Sequence, residues 1–181
     1  GRSEDDPTGD DGQSFEESFT RVICDIKGEE MERIEASWAG LLQESWIEEL
    51  QASRLLRRCK AGEISLAELH QFSLQHFYYA KDFTRYLCAL LSNLPSTEDR
   101  QILTENLFDE MGLGDAGDRP HSLLFAEMLA GFGLVTDAAT PIPSVVKLQR
   151  LMLELCRDPD PLVGLGALCL GAEAIVPAMY Q

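Results

Sequence analysis

Residues 105–134 read ENLFDEMGLGDAGDRPHSLLFAEMLAGFGL, and their pattern decides the fold. Glu105–Glu110 continues an apolar-periodic run that reads as the end of a helix. Gly112, Gly114 and Gly117 then break it. Asp118 is suited to cap the next helix and Pro120 to stand near its first turn. That helix begins at His121 and runs to Gly131 or Gly133. A helix, a glycine-rich break and a second helix leave no room for a strand, and the rest of the chain follows the same pattern.

Upstream, Ser65 and Glu68 form a capping-box signature, S-x-x-E. It opens a long apolar helix over Ser65–Asn93, rich in Phe and Tyr, which belongs at the centre of a bundle. Pro95 ends it. Thr97, with Glu98 and Asp99 in the first turn, starts the helix leading to Glu110. Farther upstream, Ser14–Gln51 is helical by spacing, with an interruption at Gly28. Ile34, Trp38, Leu41, Leu42 and Trp46 form the inner face there, and Glu44, Glu48 and Glu49 point outward. Leu50–Cys59 continues as helix and closes at the glycine of Lys60–Glu63. Downstream, a Pro-containing loop, Thr136–Pro143, precedes a helix over Ser144–Cys156. The DPDP run, Asp158–Pro161, is a stop before a final helix, Leu162–Gln181. With no clean alternation, hairpin dipeptide or repeat, the fold class is all-α, a bundle of about seven helices with short connections.

The chain has 181 residues, 45% of them hydrophobic, enough for one core. We expect a disordered acidic tail over 1–13 and a single helical domain over 14–181. The formal net charge is -16, which disfavours nucleic acid and anionic membrane surfaces, since both need a cationic face. No signal peptide is visible. Pro161–Tyr180 has the length of a membrane span, but Glu173 and Pro177 inside it, and Asp158 and Asp160 before it, favour a buried core helix. The five cysteines, Cys24, Cys59, Cys88, Cys156 and Cys169, form no C-x-x-C pair. They read as reduced core residues of a cytoplasmic protein.

Three side chains are candidates for metal chemistry. Glu110 and His121 are oxygen and nitrogen donors suited to iron, manganese or zinc. Eleven positions separate them, close to three turns of an unbroken helix, but the glycines make their geometry depend on the loop. A surface glutamate and a helix-start histidine is the other reading. Glu173 is the one ionisable residue in an otherwise apolar helix. Buried alone it would be costly or protonated, so it needs a partner: a basic side chain of a neighbouring helix or a metal ion. Gln75, His76 and Tyr79 lie together on the aromatic helix. They either line a substrate pocket or include a hydrogen-bonded core histidine. A nucleophilic cysteine would need a basic neighbour, and Cys88 and Cys169 sit in apolar surroundings; there is no phosphate-binding glycine loop.

The run Glu105–Glu110, the glycine break, His121–Phe125 and Gly131–Leu134 resemble the heme-oxygenase-like diiron oxidases and oxygenases. These are iron-containing redox enzymes whose fold relatives include thiaminase II and pyrroloquinoline quinone synthase. Gly164–Tyr180 resembles that family's next metal-bearing helix, and Gly62–Phe83 fits as well, so the resemblance spans roughly Arg54–Gln181. It places the family's first ligand glutamate on Glu110, its first histidine on His121 and its second glutamate on Glu173. It implies two Fe ions, with Mn as an alternative metal, that activate O2 to oxidise a small molecule such as an amino acid, an amine or a fatty acid, in biosynthesis. A homodimer is an associated expectation. The family's remaining ligands, a histidine, an aspartate and a histidine, lie on a further helix, which would fall past Gln181. Three side chains are too few for two irons, so either that helix belongs to a longer protein or the site is incomplete. A metal-free enzyme on the same fold, or a non-catalytic helical interaction subunit, are the alternatives.

Overall fold

The computed structural model describes residues 44–114, 118–138 and 140–179, and those residues form helices joined by turns and loops, with no strand among them. The expected acidic tail and the helical run before Glu44 lie outside the described residues, as do Gly117, Tyr180 and Gln181. In chain order the helices are α1 (Glu44–Gln51), α2 (Arg54–Lys60), α3 (Leu66–Ala80), α4 (Phe83–Leu91), α5 (Thr97–Glu110), α6 (His121–Gly131), α7 (Pro143–Leu155), α8 (Pro161–Leu168) and α9 (Val176–Met179). A 3-10 turn, Thr136–Ala138, precedes α7, and a π-helical turn, Cys169–Glu173, follows α8.

The caps explain most of the boundaries. The capping box forms as expected: Ser65 Oγ accepts from Glu68 N at 3.3 Å, and Ser65 N donates to Glu68 Oε2 at 2.9 Å. Arg58 pairs with the same carboxylate and so ties α2 to the start of α3. Ser96 caps α5 by accepting from Asp99 N at 3.2 Å. Asp160 caps α8 by accepting from Leu162 N at 3.0 Å.

Four boundaries differ from the sequence reading. Leu50–Cys59 is not continuous, because Ser53 accepts from Leu56 N and restarts the helix at Arg54. Asp118 is not the cap of α6; Pro120 stands at the N-cap, with no side-chain cap bond. The final helix is interrupted by the π turn. The long aromatic helix is likewise two helices, α3 and α4, bent at Lys81–Asp82. There Gln149 of α7 donates from Nε2 to the Tyr78 carbonyl at 2.6 Å and to Asp82 Oδ2 at 3.0 Å. A side chain inserted into the helical hydrogen-bond ladder is a recognised cause of such a bend.

The core is centred on α4. Leu87 and Leu90 are fully buried and Tyr86 nearly so. They pack with Leu103 of α5, Met152 of α7, Cys156 just after α7, and Leu168 of α8. A β-carbon on Gly164 would lie 2.9 Å from Leu90 Cδ1 and 3.1 Å from Cys156 Cα, so α8 reaches this cluster because position 164 has no side chain. A second cluster joins Leu74 and Phe77 of α3 to Leu129 of α6. Two surface readings are corrected: Trp46 is exposed, and so are Cys59 and Cys88. Cys156 and Cys169 are the buried cysteines, and all four described ones are free thiols. No described helix is long and apolar enough to cross a membrane.

Candidate functional site

A cavity of about 520 Å³ runs between α3, α6, α7 and the segment after α8. Glu110, His121 and Glu173 all line it, as do Gln75, His76 and Tyr79. Six side chains singled out in the sequence therefore meet at one place, from four separate stretches of chain.

Glu110 is the last residue of α5 and His121 the first of α6. The turn between them is reversed at Gly112, which has a φ of 62° and closes tightly against the backbone of Arg119 and Pro120. Arg119 then pairs with Glu127 one helix farther on, which staples the incoming chain to α6. The result places His121 Nδ1 3.1 Å from Glu110 Oε1. The glutamate side chain is 21% exposed and the imidazole 57%, so the pair sits where the cavity meets solvent.

Glu173 is delivered differently. It is the last residue of the π turn, whose wider winding lets the helix carry an extra residue at this point; such turns are frequent at functional sites. Its carboxyl is pushed up to about 7, first by burial and then by the Glu110 carboxylate. That second cause shows the two carboxylates share one electrostatic neighbourhood. The Tyr79 hydroxyl is pushed up to about 12, by burial and then by Glu173. Burial also lowers the pKa of His76. Tyr79 is thus a neutral hydroxyl at neutral pH, and His76 an imidazole biased to its neutral form. His76 makes edge contacts with Phe72, Tyr79 and Phe125, with ring centroids 5.6–6.3 Å apart.

Gln75 lines the cavity, but its amide is committed. Nε2 donates to the Thr140 carbonyl at 3.2 Å, and Oε1 accepts from Ile142 N at 2.8 Å. Tyr78 OH donates to the Thr136 carbonyl at 2.5 Å. These bonds fasten the stretch before α7 onto α3 and so position Ile142 and Val145, which form part of the cavity wall. The other walls include Phe83, Met152 and Ile175. Sequence spacing gave no sign of these, because each is an ordinary apolar residue of its stretch of chain.

By donor type, two neighbouring carboxylates and an imidazole suit one iron ion, and a cation there would relieve the repulsion that raises Glu173. Among the described residues, however, no group of three or more His, Cys, Asp or Glu side chains is drawn closely enough together to hold an ion. The donors face one cavity but are not already clasped. For two ions they are too few.

An all-helical bundle that gathers carboxylates and an imidazole around an apolar cavity is the architecture of helical metal-redox proteins. Comparison with known families agrees: residues 70–181 match the family described as iron-containing redox enzyme, and the chain belongs to that family. No curated protein and no solved structure matches the chain.

Proposed function

We propose that this iron-containing redox enzyme is an O2-dependent oxidoreductase acting on a small molecule, with iron held by Glu110, His121 and Glu173. The observation that carries the reading is their convergence, from the end of α5, the start of α6 and the π turn, on one cavity with otherwise mainly apolar walls. Iron bound there supplies the one-electron chemistry that ground-state O2 requires.

The chain's own residues do the rest. Glu110 Oε1 lies 3.1 Å from His121 Nδ1, on the opposite side of the ring from Nε2, which leaves Nε2 as the atom the imidazole would offer a metal. Glu173 becomes a full carboxylate only as its proton leaves, and a metal would drive that loss. Phe83, Phe125, Val145 and Met152 surround the substrate volume with apolar surface that excludes water. Tyr79 presents a neutral hydroxyl and His76 an imidazole to whatever lies against α3. Gln75 holds the loop that forms the wall at Ile142.

The test is O2 uptake. Protein loaded with Fe(II) under anaerobic conditions and then mixed with O2 is expected to consume it faster than the same concentration of free Fe(II). Glu173→Ala and His121→Ala are expected to fall to the free-iron rate. Uptake by loaded wild-type protein no faster than free iron would overturn the reading.

A further inference from the structure

The apolar walls of the cavity are of two kinds. Phe72, His76, Tyr79, Phe83 and Phe125 set five rings on the side made by α3, the start of α4 and α6. The side made by α7 and the residue before it is aliphatic, with Ile142, Val145, Leu148 and Met152. The ringed side is the sheltered one. Phe83 is buried and the other four rings are half-buried, whereas Ile142 and Leu148 are exposed.

The rings are held at set angles. Phe72, Tyr79 and Phe125 stand at 64–81° to the His76 imidazole, with centroids 5.6–6.3 Å away. Tyr79 is backed by Tyr86, centroids 5.9 Å apart, and Tyr86 belongs to the core and not to the cavity wall. A flat aromatic ring entering such a set can lie offset against one member and edge-on to another. A saturated ring of the same outline makes neither contact.

Two polar groups on this side are free. Gln75 is committed to the Thr140 carbonyl and to Ile142 N. Neither the His76 imidazole nor the Tyr79 hydroxyl has a hydrogen-bond partner among the described residues. Neither is sealed from solvent, as the unpartnered Tyr86 hydroxyl is. They stand three positions apart on α3, neighbours on the helix surface. A neutral imidazole has one ring nitrogen that accepts, and a tyrosine O–H donates. One hydroxyl group lying between them serves both, donating to His76 and accepting from Tyr79. A carboxylate has no proton to donate, and an ammonium has no lone pair to accept with. We propose that the cavity takes a planar aromatic substrate bearing a hydroxyl group, a phenol, with its ring against Phe72, Tyr79 and Phe125 and its hydroxyl between His76 and Tyr79. The proposal rests on the reading of this cavity as the substrate site and names the substrate class.

The experiment is equilibrium binding of 2-naphthol, naphthalene and decahydro-2-naphthol to the metal-free full chain. 2-Naphthol is expected to bind about tenfold more tightly than naphthalene, the scale of one or two hydrogen bonds. It should bind about tenfold more tightly than decahydro-2-naphthol, which has the hydroxyl without the aromatic ring. Tyr79→Phe and His76→Phe each keep a ring and remove a polar group. Both should lose most of the preference for 2-naphthol over naphthalene and keep the preference over decahydro-2-naphthol. Tyr86→Phe deletes a hydroxyl that is buried away from the cavity wall, and should leave both preferences intact. Binding of naphthalene or decahydro-2-naphthol as tight as that of 2-naphthol, or an unchanged hydroxyl preference in both Tyr79→Phe and His76→Phe, would overturn the proposal. Binding of none of the three would overturn it together with the reading of the cavity as a substrate site. Failure to retain Fe(II) would count against the iron assignment alone.

Discussion

Replacing Gly112 by alanine is expected to destabilise the protein by at least about 3 kcal/mol and to separate Glu110 from His121. Two causes add. The position has a φ of 62°, where an L side chain costs roughly 1–2 kcal/mol. The added β-carbon would also lie 2.3 Å from the carbonyl carbon of Arg119 and 2.6 Å from the Pro120 nitrogen. Both are backbone atoms, so no side-chain rotation relieves the clash. The turn must open, and the opening moves the start of α6, where His121 stands. Gly114→Ala is the control. Its β-carbon would meet Asp118 Oδ2 at 2.9 Å, a side-chain atom rather than backbone, and its φ is not positive, so a clearly smaller cost than at Gly112 is expected. Denaturant unfolding of the two variants beside wild type measures both, and equal stabilities would show that the turn at Gly112 is not the tight one.

The second large effect concerns Glu173 in metal-free protein. Its carboxyl titrates near 4.5 as a free side chain and near 7 in the fold. Between those values the folded state holds a proton that the unfolded state has released. Stability therefore falls as pH rises from about 4.5 to about 7 and levels off above. The full span corresponds to roughly 3 kcal/mol, an upper figure because the side chain keeps some contact with solvent. Glu173→Gln, which carries no ionisable group, should lack this part of the pH dependence. It should be more stable than wild type at pH 8, and the two should converge near pH 5. Melting temperatures of both proteins across this range give the difference directly; parallel curves would show that Glu173 ionises in the fold as it does in water. The same sign governs metal uptake. Glu173 must lose its proton to bind a cation, so iron affinity should weaken as pH falls below about 7.

How much of this was legible beforehand varied by residue. Ser65 and Glu68 announced the start of α3, because a capping box is a local interaction between residues three apart. Glu173 was legible because a lone carboxylate in an apolar stretch demands a partner wherever it folds. The bend between α3 and α4 was not, since it depends on Gln149, 67 positions from Asp82, and no local pattern encodes that meeting. Asp118 had the right chemistry for a cap, but the tight closure of Gly112 on Arg119–Pro120 sets where α6 begins. The convergence of Glu110 and His121 could be posed from the sequence but not resolved, because eleven intervening positions interrupted by glycine leave the angle between two helices free. The π turn left no readable mark, although it fixes where Glu173 stands at the cavity.

The most direct measurement is the iron retained after anaerobic Fe(II) titration and desalting, compared among wild type, Glu110→Ala, His121→Ala and Glu173→Ala. If the three side chains hold the metal together, wild-type protein retains iron in fixed proportion to chain and each variant loses most of it while remaining folded. Retention by the three variants equal to wild type, or no retention by folded wild-type protein at pH 8, would contradict the assignment of this cavity as the iron site.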